Sequence, residues 1–171
     1  DGDELLKVKV TRGDAEIVIV TQDGYAIRFS EKDIRPMGRT AAGVRAITLR
    51  DGDIAVALDI VVENEKLLVV SENGFGKRTP LEEYGIQTRG GKGLKTYKVA
   101  EKTGKLVGAR IVKEGDELML INSNGVAIRM NVAGISVTSR SAMGVTLMRT
   151  GEEEQIVALA KIGSSDDDKD L

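Results

Sequence analysis

Three stretches of this chain copy one another. Asp23-Gly24, Asn73-Gly74 and Asn124-Gly125 recur at intervals of 50 and 51 residues, and Gly43, Gly93 and Gly144 recur at the same intervals. Four residues before each of these last glycines stands an arginine, at Arg39, Arg89 and Arg140. Four residues after each Asx-Gly glycine stands another, at Arg28, Arg78 and Arg129. Apolar positions keep step: Ile17, Leu67 and Leu118 are equivalent, as are Val44, Leu94 and Val145. A period of about 50 residues restricts the chain to an array of like supersecondary units, each too small to bury a core alone.

Each unit reads as short strands. In the first, residues 16–21 are rich in β-branched side chains and run into Asp23-Gly24, from which 25–30 would return. Asx-Gly between apolar runs predicts a hairpin with a two-residue type I′ turn, which needs positive φ at both central residues. Further strands are expected at 44–49 and 54–62. The second unit repeats the pattern at 66–70, 75–79, 94–99 and 106–112, and the third at 117–121, 126–130, 145–149 and 155–161. Helix is limited to a turn near 30–34 or 80–84. Four short strands per unit predict an all-β, propeller-like array of small sheets. Three units are too few to close a ring of the usual 4–8 blades, so an open arc of three repeats is expected. Its unpaired edge invites self-association. The divisions expected are 14–63, 64–114 and 115–162. They are preceded by 1–13, where 5–10 reads as the closing strand of an earlier blade, and followed by the acidic tail 163–171, which has a disordered composition. The start at Asp1 suggests an excised piece or a processed chain.

What the chain lacks narrows its chemistry. It has no His and no Cys, which excludes thiolate nucleophiles, imidazole acid–base catalysis and Cys- or His-ligated structural zinc. No stretch approaches the roughly 20 apolar residues of a membrane-spanning helix, so a cytoplasmic location is expected. Net charge is −2, of which the last eight residues contribute −3, leaving the remainder at +1. A case for nucleic acid therefore rests on where the cations sit. The most suggestive place is Gln87-Thr88-Arg89-Gly90-Gly91-Lys92-Gly93, with three glycines and two cations in seven residues. Such a loop is expected to be exposed, with Gly90 and Gly91 letting a phosphate approach the backbone. It is not a nucleotide-binding P-loop, because Gly91-Lys92 is followed by Gly93 rather than Ser or Thr. Tyr25, Tyr84 and Tyr97 lack the cation and carboxylate cluster of a tyrosine nucleophile and read as packing residues.

This loop resembles the glycine-rich box of the C-terminal DNA-wrapping domain of gyrase A, a type IIA DNA topoisomerase. Similar to that family are also Gly-Phe-Gly-Lys-Arg-Thr-Pro at 74–80, Glu83-Tyr84, and Met-Gly-Arg-Thr-Ala-Ala-Gly at 37–43. The resemblance covers about 3–162 and fits the last three blades of the family best. Thr88 stands where the family's principal box carries a cation. The resemblance implies a β-pinwheel: six four-stranded blades that superficially copy a propeller, with a strand exchanged between neighbouring blades. It also implies a DNA-binding module that binds, bends and wraps duplex DNA without sequence specificity, in support of ATP-dependent negative supercoiling by DNA gyrase. It implies no catalysis and no cofactor in this segment, ATP and Mg being used elsewhere in the parent enzyme. Its implied partners are duplex DNA, the gyrase A N-terminal region and gyrase B, in a bacterial, nucleoid-associated setting.

The residues expected at DNA are first Arg39, Arg89, Lys92 and Arg140, a row of cations spaced by one repeat that would meet phosphates at regular intervals. Gly90 and Gly91 join them for close approach. Arg28, Arg78 and Arg129, on the second hairpin strand, and Lys77 and Arg45 are weaker candidates. The acidic tail is expected to compete with DNA for this rim. Two other readings are the C-terminal domain of the related topoisomerase IV protein and a protein-interaction β-propeller scaffold. The intact Arg-Gly-Gly-Lys-Gly at 89–93 favours gyrase over the first. Only 3% aromatics, with neither a recurring Trp-Asp nor a doubled glycine in each unit, weaken the second.

Overall fold

Each repeat begins with a hairpin: β1 (Glu16–Thr21) with β2 (Tyr25–Ser30), β4 (Lys66–Ser71) with β5 (Phe75–Pro80), and β8 (Glu117–Asn122) with β9 (Ala127–Asn131), in a computed structural model that describes residues 2–163. The expected acidic tail beyond residue 163 lies outside the described residues. The turn differs from the type I′ expectation. Gly24, Gly74 and Gly125 are left-handed, with φ of 84°, 80° and 79°, but the Asx residues before them are not. Each glycine N–H instead donates back to the last strand carbonyl, of Thr21, Ser71 or Asn122, at 3.1, 3.0 and 3.0 Å. This is a three-residue loop, a type I turn closed by a left-handed glycine. The strand-end side chain completes it. Thr21 Oγ1, Ser71 Oγ and Asn122 Oδ1 accept the N–H groups of Tyr25, Phe75 and Val126 at 3.2, 3.2 and 2.8 Å.

The remaining strands are β3 (Ala55–Ile60), β6 (Leu94–Lys95), β7 (Leu106–Val112), β10 (Val145–Thr146) and β11 (Ile156–Ile162). Within a repeat the last strand pairs antiparallel with the first: β3 with β1, β7 with β4, β11 with β8. The fourth strand of a sheet comes from the following repeat, β6 pairing with β2 and β10 with β5. The orders are β3-β1-β2-β6, β10-β5-β4-β7 and β11-β8-β9. The fold is therefore an all-β pinwheel of three open blades tied by strand exchange, and 3-10 turns at Glu31–Asp33, Leu81–Glu83 and Val132–Gly134 add the only helix among the described residues.

Strand exchange explains where the sequence expectations fail. Residues 44–49 form no strand, because their counterparts β6 and β10 pair with the preceding blade and no described segment offers 44–49 such an edge. Residues 5–10 likewise form no strand, and Leu5, Val8 and Val10 are exposed. The third blade holds three strands for the same reason. The expected strands 94–99 and 145–149 shrink to two residues each. Beyond β6 the N–H groups of Thr96 and Tyr97 converge on Gly24 O at 2.8 and 3.2 Å, and beyond β10 those of Leu147 and Met148 converge on Gly74 O at 2.7 and 3.2 Å, which ends the ladder.

The first strand of each hairpin is mostly apolar on both faces, and the second blade is sandwiched between the other two. Val18, Val20 and Ala26 of the first blade pack against Leu67, Val69, Leu81, Tyr84, Tyr97, Leu106 and Ile111 of the second. Leu68, Val70 and Val112, on the second blade's other face, meet Leu118, Leu120, Val132, Ile135 and Ile156 of the third. Tyr84 and Tyr97 are fully buried, and Tyr25 lies beneath the Arg50 guanidinium at 3.3 Å.

Candidate nucleic-acid interface

The glycine-rich loop lies on the strandless segment of the preceding repeat. Gly90 N–H donates to Ala46 O at 2.6 Å, and Gly90 O accepts from Thr48 Oγ1 at 2.6 Å. Gly91 O accepts the Thr48 N–H at 2.8 Å, and Lys92 O accepts from Arg50 Nη1 at 2.7 Å. The loop's glycines thus serve docking between repeats. The sequence expectation of a bare backbone awaiting phosphate meets a backbone largely engaged by its neighbour.

Arg89 and Arg140 make a recurring bond. Arg89 donates from Nε to Asp33 O at 3.0 Å and from Nη1 to Arg45 O at 3.1 Å. Arg140 donates from Nη1 to Lys95 O at 2.9 Å, and its backbone N–H donates to Glu83 Oε2 at 2.7 Å. Arg45 and Lys95 occupy equivalent positions, so each loop arginine is held on the same carbonyl of the repeat before. A guanidinium has five N–H donors, and those not used here remain for another acceptor. Around it stand side chains that are exposed and unpaired among the described residues: Arg45 and Lys92 beside Arg89, and Lys95 beside Arg140. Arg39, third in the row, is exposed and makes no such bond. Lys95 escaped sequence reading, although its equivalence to Arg45 was the signal that could have found it.

The second arginine row sits elsewhere. Arg28 donates from Nη1 to Leu81 O at 2.8 Å and from Nε to Glu16 Oε2 at 2.6 Å. Arg78 is buried and donates to Ile135 O at 2.8 Å, Ala133 O at 3.2 Å and Glu114 Oε1 at 2.8 Å. Both cap the 3-10 turn of the next repeat, so they latch blade to blade. Arg129 pairs with Glu117 alone, more than half exposed. Lys77, expected at the surface, is fully buried beneath the third repeat's loop, donating from Nζ to Ser139 O at 2.6 Å and Arg140 O at 2.7 Å. Its equivalents Ile27 and Ile128 were the sign of a core position.

Burial is the largest influence on the Lys77 ammonium, opposed by the Glu83 carboxylate and reinforced by Arg140, and it pulls the pKa from 10.5 down to about 8. The folded chain then releases this proton before the unfolded chain does. Stability gains nothing below about pH 8 and rises as pH climbs from there toward 10.5. An NMR titration should show one lysine side chain changing near pH 8, and Lys77→Met should remove both that signal and the alkaline rise in stability. A Lys77 signal titrating with the exposed lysines would refute the burial.

The sequence profile of the family described as DNA gyrase C-terminal domain, beta-propeller, matches residues 15–61, 65–113 and 116–162. The gyrase A protein of Clostridium acetobutylicum is 59% identical over 169 residues, covering 99% of this chain and 20% of that protein. The gyrase A protein of Staphylococcus epidermidis is 44% identical over 169 residues, covering 98% of this chain and 19% of that protein. The chain thus spans about a fifth of the length of these relatives. A solved DNA gyrase A C-terminal domain superimposes with TM-score 0.81 at 32% identity, over 86% of this chain and 50% of that one. A solved topoisomerase IV C-terminal domain shares the fold, with TM-score 0.86 at 24% identity, over 91% of this chain and 49% of that one.

Proposed function

This chain belongs to the family of DNA gyrase C-terminal domains, and we propose that in its parent enzyme it binds, bends and wraps duplex DNA along its loop rim in support of negative supercoiling. One observation carries the reading. The same cationic cluster is built on successive blades, as Arg45, Arg89 and Lys92 and then as Lys95 and Arg140, with each loop arginine fixed by a carbonyl of the repeat before. Cations repeated along a curved array meet phosphates at intervals and neutralise them without reading bases. Any sequence preference would then come from how easily the DNA bends. Strand breakage and ATP use would fall to other parts of the parent, the gyrase A N-terminal region and gyrase B, in the bacterial cytoplasm.

The test is duplex affinity against salt. Affinity is expected to fall steeply, and Arg45→Ala with Lys92→Ala is expected to lower the slope of log affinity against log salt by roughly 0.9 for each phosphate no longer neutralised. A flat dependence in the unaltered chain would overturn the reading. Ligating nicked circular DNA in the presence of the protein measures the wrap separately, as a shift in the linking number of the product.

A further inference from the structure

On the reading of the rim as a DNA-binding surface, on which this inference rests, we propose that Lys77 and Glu83 are positioning residues for DNA. Between them they hold the main chain of Arg140, so that phosphate binding at Arg140 and protonation of Lys77 favour one another. The two rim loops that dock on a preceding blade are fixed by different means. The glycine-rich loop docks through its own backbone, Gly90 and Gly91 bonding to Ala46 and Thr48. Beneath it lies Ile27, whose Cδ1 is 3.5 Å from where a Cβ on Gly91 would stand.

The third repeat's loop lacks this glycine pair. Ser141 and Ala142 stand where the earlier loop has Gly90 and Gly91, and Met143 stands where it has Lys92. Among the described residues no backbone bond ties Ser141 or Ala142 to the segment after β6, as Gly90 and Gly91 are tied to 46–48. Side chains of the second blade hold this loop instead. Lys77 Nζ reaches from β5 to donate to Ser139 O at 2.6 Å and Arg140 O at 2.7 Å. Glu83 Oε2, from the adjoining 3-10 turn, accepts the Arg140 N–H at 2.7 Å. Arg140 is thus gripped at its N–H by one side chain and at its carbonyl by the other. Its Nη1 is tied to Lys95 O at 2.9 Å, which leaves further guanidinium donors for a phosphate. The loop above accounts for an ammonium in a column otherwise filled by Ile27 and Ile128.

The surroundings of the ammonium couple it to the rim. Facing it are Glu83 from the turn and Arg140 from the loop. From the segment after β6 comes the Tyr97 ring, its centroid 5.8 Å from Nζ. Tyr84, bonded to Thr96 through its hydroxyl, feels the same Glu83 and Arg140. The strand partner of Lys77 is the apolar Val69. Burial and Arg140 disfavour the Lys77 proton while Glu83 favours it. A phosphate on Arg140 offsets one of the two opposing influences, so bound DNA tightens the hold of Lys77 on its proton. By linkage, the protonated chain then holds DNA more tightly than the deprotonated one. A neutral amine also donates more weakly to the Ser139 and Arg140 carbonyls and leaves the loop less firmly placed. Burial lifts the phenols of Tyr84 and Tyr97 above their ordinary 10.0, so Lys77 is the group of this cluster that changes charge near pH 8.

Affinity for a linear duplex of mixed sequence, at fixed salt, should therefore fall roughly fivefold between pH 7 and 9. A chain without His or Cys has few other groups to titrate in that range. Lys77→Met, suited to a column of isoleucines, should weaken binding at pH 7 by about the same factor and flatten the profile. The α-amino group titrates in the same range but is common to both proteins. Glu83→Gln keeps an acceptor for the Arg140 N–H but removes the charge that favours the Lys77 proton, so it should move the step to lower pH. Arg140→Ala should erase the step, and adding Lys77→Met to it should cost nothing further. Salt-dependent binding that ignores pH overturns this inference and leaves DNA binding at the rim standing, whereas binding without salt dependence overturns both. A step that survives in Lys77→Met, or losses from Lys77→Met and Arg140→Ala that simply add, overturns it too. An NMR titration of the unaltered chain decides the matter even where a variant fails to fold: the Lys77 ammonium should titrate at higher pH with the duplex bound, and an unchanged midpoint refutes the coupling.

Discussion

Replacing Arg78 by alanine is expected to cost about 2–3 kcal/mol of stability. Its guanidinium is buried and spans from Glu114 to the Ala133 and Ile135 carbonyls of the next repeat. Truncation would strand the Ile135 carbonyl in a buried site, and an unmet buried group costs about 1–3 kcal/mol. Lysine should rescue little, since one ammonium on a flexible stem cannot reproduce a planar fork serving three acceptors. The repeat supplies its own control. Arg129 occupies the equivalent position with Glu117 as its one partner and more than half its side chain in water, so Arg129→Ala should cost at most about 1 kcal/mol. Urea unfolding of the two variants measures the difference. Equal losses would remove the latch role and return this row to the surface.

That contrast also shows what a sequence reveals and what it conceals. The hairpins were legible because their signal is local: an Asx-Gly step between apolar runs fixes a tight turn whatever surrounds it. The exact turn was not, because the Thr21, Ser71 and Asn122 side chains that favour the three-residue loop act through hydrogen bonds that composition does not announce. The exchanged strands were misread for a deeper reason. Residues 44–49, 94–95 and 145–146 have similar sequences, yet only the last two pair, because strand formation there depends on an edge supplied by another repeat. The cations were legible as rows but not by role. Periodicity places Arg28 with Arg78 and Arg89 with Arg140, and it cannot say which row lies under a neighbouring turn and which stands on the rim. Comparing repeats column by column would have helped more than reading each strand by alternation: Lys77 falls in a column with Ile27 and Ile128, and Lys95 in one with Arg45.

Gly74→Ala should be more damaging than its modest chemistry suggests. Gly74 and Gly125 share a left-handed backbone, with φ of 80° and 79°, so alanine brings the same strain to both, about 1–2 kcal/mol. What differs is the surroundings. At Gly74 the new methyl would fall 1.9 Å from Met148 O, a main-chain atom that cannot turn aside. The Leu147 and Met148 N–H groups bond to Gly74 O, so relieving the clash means pulling the exchanged segment off the second blade. Overpacking of this kind adds about 1–3 kcal/mol or more. Gly24→Ala should be costly for the same reason, its Cβ falling 2.6 Å from Tyr97 O, while Gly125→Ala, with nothing within 4 Å, should show the backbone strain alone. Chemical denaturation ranks the three. Hydrogen exchange at Leu147 and Met148 locates the damage, since their amides should lose protection in Gly74→Ala and keep it in Gly125→Ala. A Gly74 variant no less stable than its Gly125 counterpart would mean that the blades do not meet so closely.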